Sequence, residues 1–300
     1  MTLQQLRYII MVADEGNITE AAERLFISQP SLTSAIRLLE DELSVNIFNR
    51  SNKGVTVTRE GEEVLAYARQ VLEQAELMQE RFGRGRKRSP RFSVSCQHYS
   101  FAVNAFVDVI REYDADSYDF TIRETQTHEI IEDVSLGKSE IGILYLSGNN
   151  ENVIGKLLKK NELVFNELFV ARPHVFISGR HPLAGKEKIE LHELDAYPYL
   201  SFEQGEHNSF YFSEEILSTI DRAKNIKVRD RATLFNLVIG LNGYTVSSGV
   251  IDPELNGEGI IARPLMVDEV MHIGTVMRKN ARLSRYGVSY LEAIRKLVCC

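Results

Sequence analysis

Two hydrophobic rhythms that belong to different secondary structures meet at residues 81–91 of this chain. Before that point apolar residues recur at helical spacing over residues 1–82. After it, short apolar runs alternate with amphipathic stretches. The segment between them holds Arg81, Gly83, Arg84, Gly85, Arg86, Lys87, Arg88, Ser89, Pro90 and Arg91. A basic stretch punctuated by Gly and Pro carries no apolar face to bury, so it reads as a linker between separate folding units. A length of 300 residues has room for about two domains of ~150 residues. Hydrophobic residues make up 44% and charged residues 26%, which excludes a fully disordered chain, a collagen and a disulfide miniprotein.

The helical half resolves into pieces. Leu3, Leu6, Ile10 and Ala13 share a helical rhythm, and Gly16 stops it. A short helix from Thr19 carries Ala21, Ala22 and Leu25, and a tight turn follows near Phe26-Ile27. Ser28-Gln29-Pro30 opens a third helix, because Ser caps well and Pro is tolerated in a first turn. Leu32, Ile36, Leu39 and Leu43 mark its buried face. Val45–Phe48 and Val55–Val57 read as strands of a hairpin closed by Asn52-Lys53-Gly54. From Thr58 to Phe82 a long helix repeats Val64, Ala68, Val71, Ala75, Met78 and Phe82 at 4-3-4-3-4 spacing. That stripe packs either on its own domain or against a second copy. The small preceding domain reads as too short to cover it, so a dimer seam is expected.

The two helices from Thr19 to Leu43 form a helix-turn-helix with an uncharged polar outer face. Its outward positions are Ser28, Gln29, Ser31, Thr33, Ser34 and Arg37. Gln and Arg can make bidentate contacts to base edges in the major groove, and small Ser and Thr allow close approach. The hairpin adds Arg50, Lys53, Thr56 and Thr58 for backbone contacts. Residues 1–60 nevertheless carry only Arg7, Arg24, Arg37, Arg50, Lys53 and Arg59, against Asp14, Glu15, Glu20, Glu23, Glu40, Asp41, Glu42 and Glu60. The whole chain is also acidic, with a net charge of −7. Affinity for double-stranded DNA must then come from placed contacts and from oligomerisation, not from diffuse charge.

Beyond residue 91, strands are expected at Phe92–Cys96, Phe120–Glu124, Ile141–Leu146, Leu168–Ser178, Ile226–Val228, Tyr244–Ser247 and His272–Met277. Helices are expected at Tyr99–Tyr113, His128–Leu136, Ser213–Ile220, Ala232–Gly240 and Gly287–Val298. Such alternation implies a parallel-rich α/β sheet with helices on both faces, enough for two lobes. Polar loops fall at strand ends: Ser95-Cys96-Gln97-His98, Thr125-Gln126-Thr127-His128, Phe202-Glu203-Gln204-Gly205 and Ser247-Ser248-Gly249. Ligands of open α/β sheets bind outside the carboxyl ends of strands, and the helix N-termini there suit a carboxylate. A small anionic or zwitterionic effector is therefore expected in the cleft between lobes. Ser95, Gln97, Thr125 and Thr127 would hold its carboxylate, with Cys96 and His98 beside them. Glu203, Ser247 and Ser248 would close from the other lobe, Glu203 suiting an ammonium.

Cys96 with His98 or His128 could form a nucleophile and base, but a small Cys at a strand end is more often packing. No catalytic residue is assigned. His174, His181, His192, His207 and His272 show no metal-ligand spacing, so neither a metal nor a cofactor is expected. Three cysteines, two of them the adjacent Cys299 and Cys300, suggest a reduced, cytoplasmic chain. The apolar run Tyr8–Ala13 is flanked by Arg7 and Asp14-Glu15, so neither a signal peptide nor a membrane span is expected.

The first sixty residues also resemble a known family. Leu3-Gln4-Gln5-Leu6-Arg7-Tyr8, Ala21-Ala22-Glu23-Arg24-Leu25, Ser28-Gln29-Pro30-Ser31-Leu32-Thr33, Ile36-Arg37-Leu38-Leu39-Glu40, Leu43 and Ile47-Phe48-Asn49-Arg50 are similar to the N-terminal signature of LysR-type transcriptional regulators. Thr58-Arg59-Glu60-Gly61 resembles the start of that family's linker helix, while Ser44 stands where other members place Gly. The resemblance implies an all-α winged helix-turn-helix at 1–58, a dimerising linker helix and hinge at 59–90, and a two-lobed α/β effector domain of periplasmic-binding-protein type at 91–300. Lobe I would take about 91–165 and 268–300, and lobe II about 166–267. It implies a homodimer through the linker helix, a homotetramer on operator DNA, and Gln29, Pro30, Ser31, Ser34 and Arg37 at the DNA. The segment from Phe202 to Phe212 resembles a Gram-positive subgroup controlling sulfur and amino-acid genes, which points to an effector such as O-acetylserine. Two other readings stay open: a ligand-binding module whose helical head only dimerises, and a cytosolic enzyme using the cleft.

Overall fold

The computed structural model describes residues 1–51, 54–82, 89–113, 117–207, 209–251 and 259–298. It divides into two compact units, one built on Met1–Arg88 and a larger one that begins at Ser89.

In the first unit the chain runs α1 (Leu3–Glu15), α2 (Ile18–Arg24), α3 (Gln29–Leu43), β1 (Phe48–Ser51), β2 (Gly54–Val57) and α4 (Arg59–Phe82). Each helix start has a local cause. Thr2 and Gln5 form a reciprocal capping box for α1, Asn17 caps α2, and the Ser28 hydroxyl accepts the Ser31 N–H at the head of α3. Gly16 ends α1 at φ 63°, where a Cβ would be strained. Ser44 ends α3 at φ 56°, so a side chain occupies a left-handed cap that glycine fits better. Leu6, Ile9 and Val12 of α1, Ala21 and Ala22 of α2, and Leu32, Ile36 and Leu39 of α3 converge on one core.

Two sequence expectations change here. The first hairpin strand begins at Phe48, not Val45. The Val45 N–H closes α3 on the Glu40 carbonyl, the Ile47 N–H goes to the Glu40 carboxylate at 2.8 Å, and the Asn46 carbonyl takes the Thr58 hydroxyl at 2.6 Å. Backbone committed in this way cannot join a ladder. The Thr58 side chain caps α4 by accepting the Gly61 N–H at 2.8 Å. A Cβ on Gly61 would stand 2.2 Å from the Ile47 carbonyl oxygen, so only glycine lets the helix approach this closely. The α4 stripe is also split. Ala68 is buried and Val64 half-buried on the unit's own core, together with Leu65 and Leu72. Val71 (40% exposed) and Met78 (62%) face outward with Tyr67 (61%). The side chain of Phe82, and residues 83–88 of the basic linker, lie outside the described residues.

The second unit contains two lobes. In the first, β3 (Arg91–Cys96) pairs in parallel with β4 (Asp119–Glu124) and β5 (Ile141–Leu146). A long return strand, Met271–Arg278, runs antiparallel between β5 and β6 (Leu163–Ala171). Helices α5 (Ser100–Tyr113), α6 (Thr127–Ser135), α7 (Glu151–Lys160) and α9 (Arg285–Val298) belong to this lobe. In the second lobe, β7 (His174–Ser178) lies between β10 (Thr245–Ser247) and β11 (Ile260–Pro264). A separate parallel pair joins β8 (Tyr199–Phe202) to β9 (Asn225–Val228), and α8 (Arg231–Leu241) follows. The return strand of the first lobe is β12.

The sheets are mixed rather than parallel-rich, because β12 comes back against both neighbours. The expected single strand Leu168–Ser178 is two strands in different lobes, broken at Arg172-Pro173, where Pro lacks a ladder donor. The lobe border therefore falls after Ala171, not at 165. The expected helix Ser213–Ile220 is a run of turns, with Leu217 at φ 64°. Helix α7 and strands β8 and β11 were not anticipated. No described helix is long and apolar enough to cross a membrane.

Candidate functional site

The outer face of α3 meets solvent as expected at Ser28, Gln29, Pro30, Ser31, Ser34 and Arg37, all exposed. Ser28 and Ser31 hydroxyls lie 2.7 Å apart across the cap. The helix N-terminus behind them carries partial positive charge and free N–H groups, a natural seat for a phosphate. Thr33 departs from the expectation: it is half-buried, and its hydroxyl is buried without a partner. Thr56 is exposed on β2, and Thr58 serves as the α4 cap. Arg50 lies in β1 opposite Val55, its side chain outside the description, and Lys53 is outside the described residues. Phe26, which the sequence marked only as a turn, is 95% exposed at φ 55° between α2 and α3.

In the larger unit the structure separates the expected effector residues into two groups. One group is consumed by the protein. Ser95 is fully buried and bonds Asp133 at 2.7 Å and Ser139 at 2.8 Å. Cys96 lies in the core, where burial pushes its thiol well above the ordinary value, so it forms no nucleophilic pair with His98. The Gln97 amide oxygen accepts from Tyr145 N–H and Tyr99 O–H, and its NH2 donates to Thr127 at 2.6 Å. The Thr127 hydroxyl in turn donates to the Phe212 carbonyl at 2.7 Å. Thr125 bonds Glu129, Glu203 pairs with Arg229, and Ser248 accepts the Val250 N–H at 3.4 Å. The Glu203 pairing removes the ammonium seat expected there.

The other group faces a cleft between the lobes. His98 and Ser100 line it from the first lobe, and Ser247, Phe202, Glu214 and Arg231 from the second. His98 Nδ1 stands 2.8 Å from Glu214 Oε2, which also accepts the His98 N–H at 2.9 Å. The imidazole stacks on Phe202 with centroids 3.7 Å apart and 5° between planes. Burial disfavours the charged ring, but the Glu214 charge and hydrogen bond outweigh it, and the His98 pKa is raised. Arg231 pairs with Glu124 at 3.0 Å. Glu215, beside Glu214, is pushed up to about 8 by burial and by its neighbour's charge.

Sequence reasoning missed Glu214, Glu215, Arg231 and Glu124. Glu214-Glu215 fell within the expected helix Ser213–Ile220, which carried no site assignment. No group of three or more His, Cys, Asp or Glu among the described residues could hold a metal ion.

A helix-turn-helix head with a free polar recognition face, joined to a two-lobed domain with a cleft, defines a ligand-responsive DNA-binding regulator. Residues 3–62 match the family model of bacterial regulatory helix-turn-helix proteins of the lysR family, and residues 86–297 match the LysR substrate binding domain. A probable RuBisCO transcriptional regulator of Trieres chinensis is 30% identical over 244 residues, covering 80% of this chain and 74% of that one. The regulator CysL of Bacillus subtilis is 26% identical over 303 residues, covering 96% and 90%. Full-length OxyR of Pseudomonas aeruginosa, solved as a cysteine-to-aspartate variant, shares the fold with a TM-score of 0.67 at 23% identity, covering 98% and 95%. The chain belongs to the LysR family of transcriptional regulators, with a DNA-binding helix-turn-helix and an effector-binding domain.

Proposed function

We propose that this regulator reads its operator with Gln29, Ser34 and Arg37 on the outer face of α3, while the hairpin and the α3 N-terminus grip phosphate. The observation that carries this reading is the state of those three side chains. All are exposed, and none has a hydrogen-bond partner among the described residues. A polar face left uncommitted by its own fold is one available to base edges. Two copies pair through the outward face of α4, and two such dimers span the operator. A small polar metabolite in the cleft sets the closure of the lobes, and closure sets the spacing of the DNA-binding heads. The protein works in the cytoplasm, where its DNA lies.

The test is titration of Gln29→Ala on operator and on random DNA. A lost bidentate base contact costs about 1–3 kcal/mol on the operator and little on random sequence. Equal losses on both would show that Gln29 reads no base.

A further inference from the structure

Glu215 is 2% exposed. Its Oε1 accepts the Phe202 N–H at 2.8 Å, and its Oε2 is buried with no hydrogen-bond partner among the described residues. Buried polar atoms are nearly always partnered, and an orphan calls for a specific explanation. This one belongs to a residue that lines the cleft beside Phe202, Glu214 and Arg231. The surrounding oxygens are mostly already engaged. Glu214 receives His98 and Gln204, and Glu124 receives Arg231. The unmet capacity of the cleft is thus an acceptor on an acidic wall.

From this orphan oxygen we infer that the effector carries a protonated amine, and that its ammonium docks on Oε2 of Glu215. The inference rests on the cleft being the effector site. An ammonium offers three donors and no acceptor, which complements a carboxylate that accepts only. A ligand anion brought to the same wall would meet acidic side chains and would offer no donor to the orphan oxygen.

A consequence follows for protons. Burial first, then the charge of Glu214, lift the Glu215 carboxyl to about 8, so it is protonated at neutral pH. The titratable groups facing it are Glu214, His98, Tyr99, Tyr145 and Tyr199. An arriving ammonium favours the charged carboxylate, so the proton leaves to solvent as the amine docks. Binding then releases about one proton below pH 8 and tightens about tenfold per pH unit up to that point.

The test uses the full chain and two matched sets of probes. One set is the proteinogenic L-amino acids with methylammonium as the minimal amine. The other is the corresponding 2-hydroxy acids, which keep the shape and lack the amine. Thermal protection is read first. Calorimetry in two buffers of different ionisation heat then counts protons for the strongest binder. The expected result is protection by amines alone, release of about one proton at neutral pH, and loss of both in Glu215→Gln, whose amide still accepts from Phe202. The proton count on the unaltered chain needs no variant to fold. Protection by 2-hydroxy acids as strong as by amines, absence of proton release, full affinity in Glu215→Gln, or no protection by any amine would each overturn the inference. Protection by hydroxy acids alone would leave the cleft as the effector site and remove only the amine. Operator binding that ignores every protecting ligand would remove the effector reading itself.

Discussion

The adjacent carboxyls of Glu214 and Glu215 sit in different hydrogen-bonding environments. Glu214 accepts from the His98 ring and backbone and from Gln204, while Glu215 accepts the Phe202 N–H in a deeper site. The folded Glu215 keeps its proton to about pH 8, whereas in the unfolded chain it would lose it near ~4.3. Between those values the folded state binds more protons, so stability falls as pH rises. His98 acts with the same sign. Its pKa is raised, so the stability it contributes is complete below about 6.5 and is lost as pH climbs through its folded value. The melting temperature of the effector domain should therefore decline from about pH 6 to about pH 8, and Glu215→Gln should flatten that decline. Thermal denaturation across this range checks it. Parallel slopes for the two proteins would mean that Glu215 is ionised in the fold.

Among the elements, α4 carries two duties on two faces. Leu65, Ala68 and Leu72 complete the core of the first unit. Tyr67, Val71 and Met78 form an outward apolar row at near-heptad spacing. Partition of this kind lets a mutation on one face spare the other. Val71→Asp should leave the first unit folded, because the side chain is 40% exposed there. It should split the oligomer, because a second copy would bury the charge without a partner. Sedimentation velocity reads the outcome directly, and an unchanged assembly would place the dimer contact elsewhere.

For the molecule as a whole, what matters is how the two lobes of the effector domain hold each other. Apolar packing joins them, and a set of polar contacts crosses between them as well. The Thr127 hydroxyl donates to the Phe212 carbonyl and its N–H to the Gln204 amide oxygen at 3.0 Å, His98 meets Glu214, and Arg231 meets Glu124. His128 and His207 stack with centroids 3.5 Å apart. Polar contacts across a cleft can be exchanged for water or ligand at small net cost, which suits a domain that changes closure. Thr127→Val keeps the shape and removes the hydroxyl. It leaves the Phe212 carbonyl and the Gln97 amide each short of a partner, at about 1–3 kcal/mol per buried group. Calorimetry of the full chain should show the effector-domain transition lowered and operator affinity without effector unchanged. A transition that does not move would mean that water replaces the hydroxyl in both bonds.

How far the chain could be read depended on the distance between interacting residues. Caps, stops and stripes join residues within about four positions, and they were legible: Ser28 before α3, Gly16 after α1, Thr58 before α4, and the rhythm of Leu32, Ile36 and Leu39. The helix-turn-helix and its polar face follow from such local terms, and so does the family resemblance. The cleft did not. Ser95, Gln97 and Thr127 were placed correctly at strand ends, yet their polar atoms bond partners 30 to 85 positions away and are withdrawn from any ligand. His98 and Glu214 are 116 positions apart, and the burial of Glu215 has no local signature in the chain. By itself the sequence determined the helices of the head, the first three strands of the effector domain and the polar face of α3, because neighbours along the chain decide hydrogen-bonded turns and periodicity. Only the tertiary structure decided which polar groups remain free at the cleft. Burial and hydrogen-bond saturation depend on what the fold brings from elsewhere, and no local pattern encodes that.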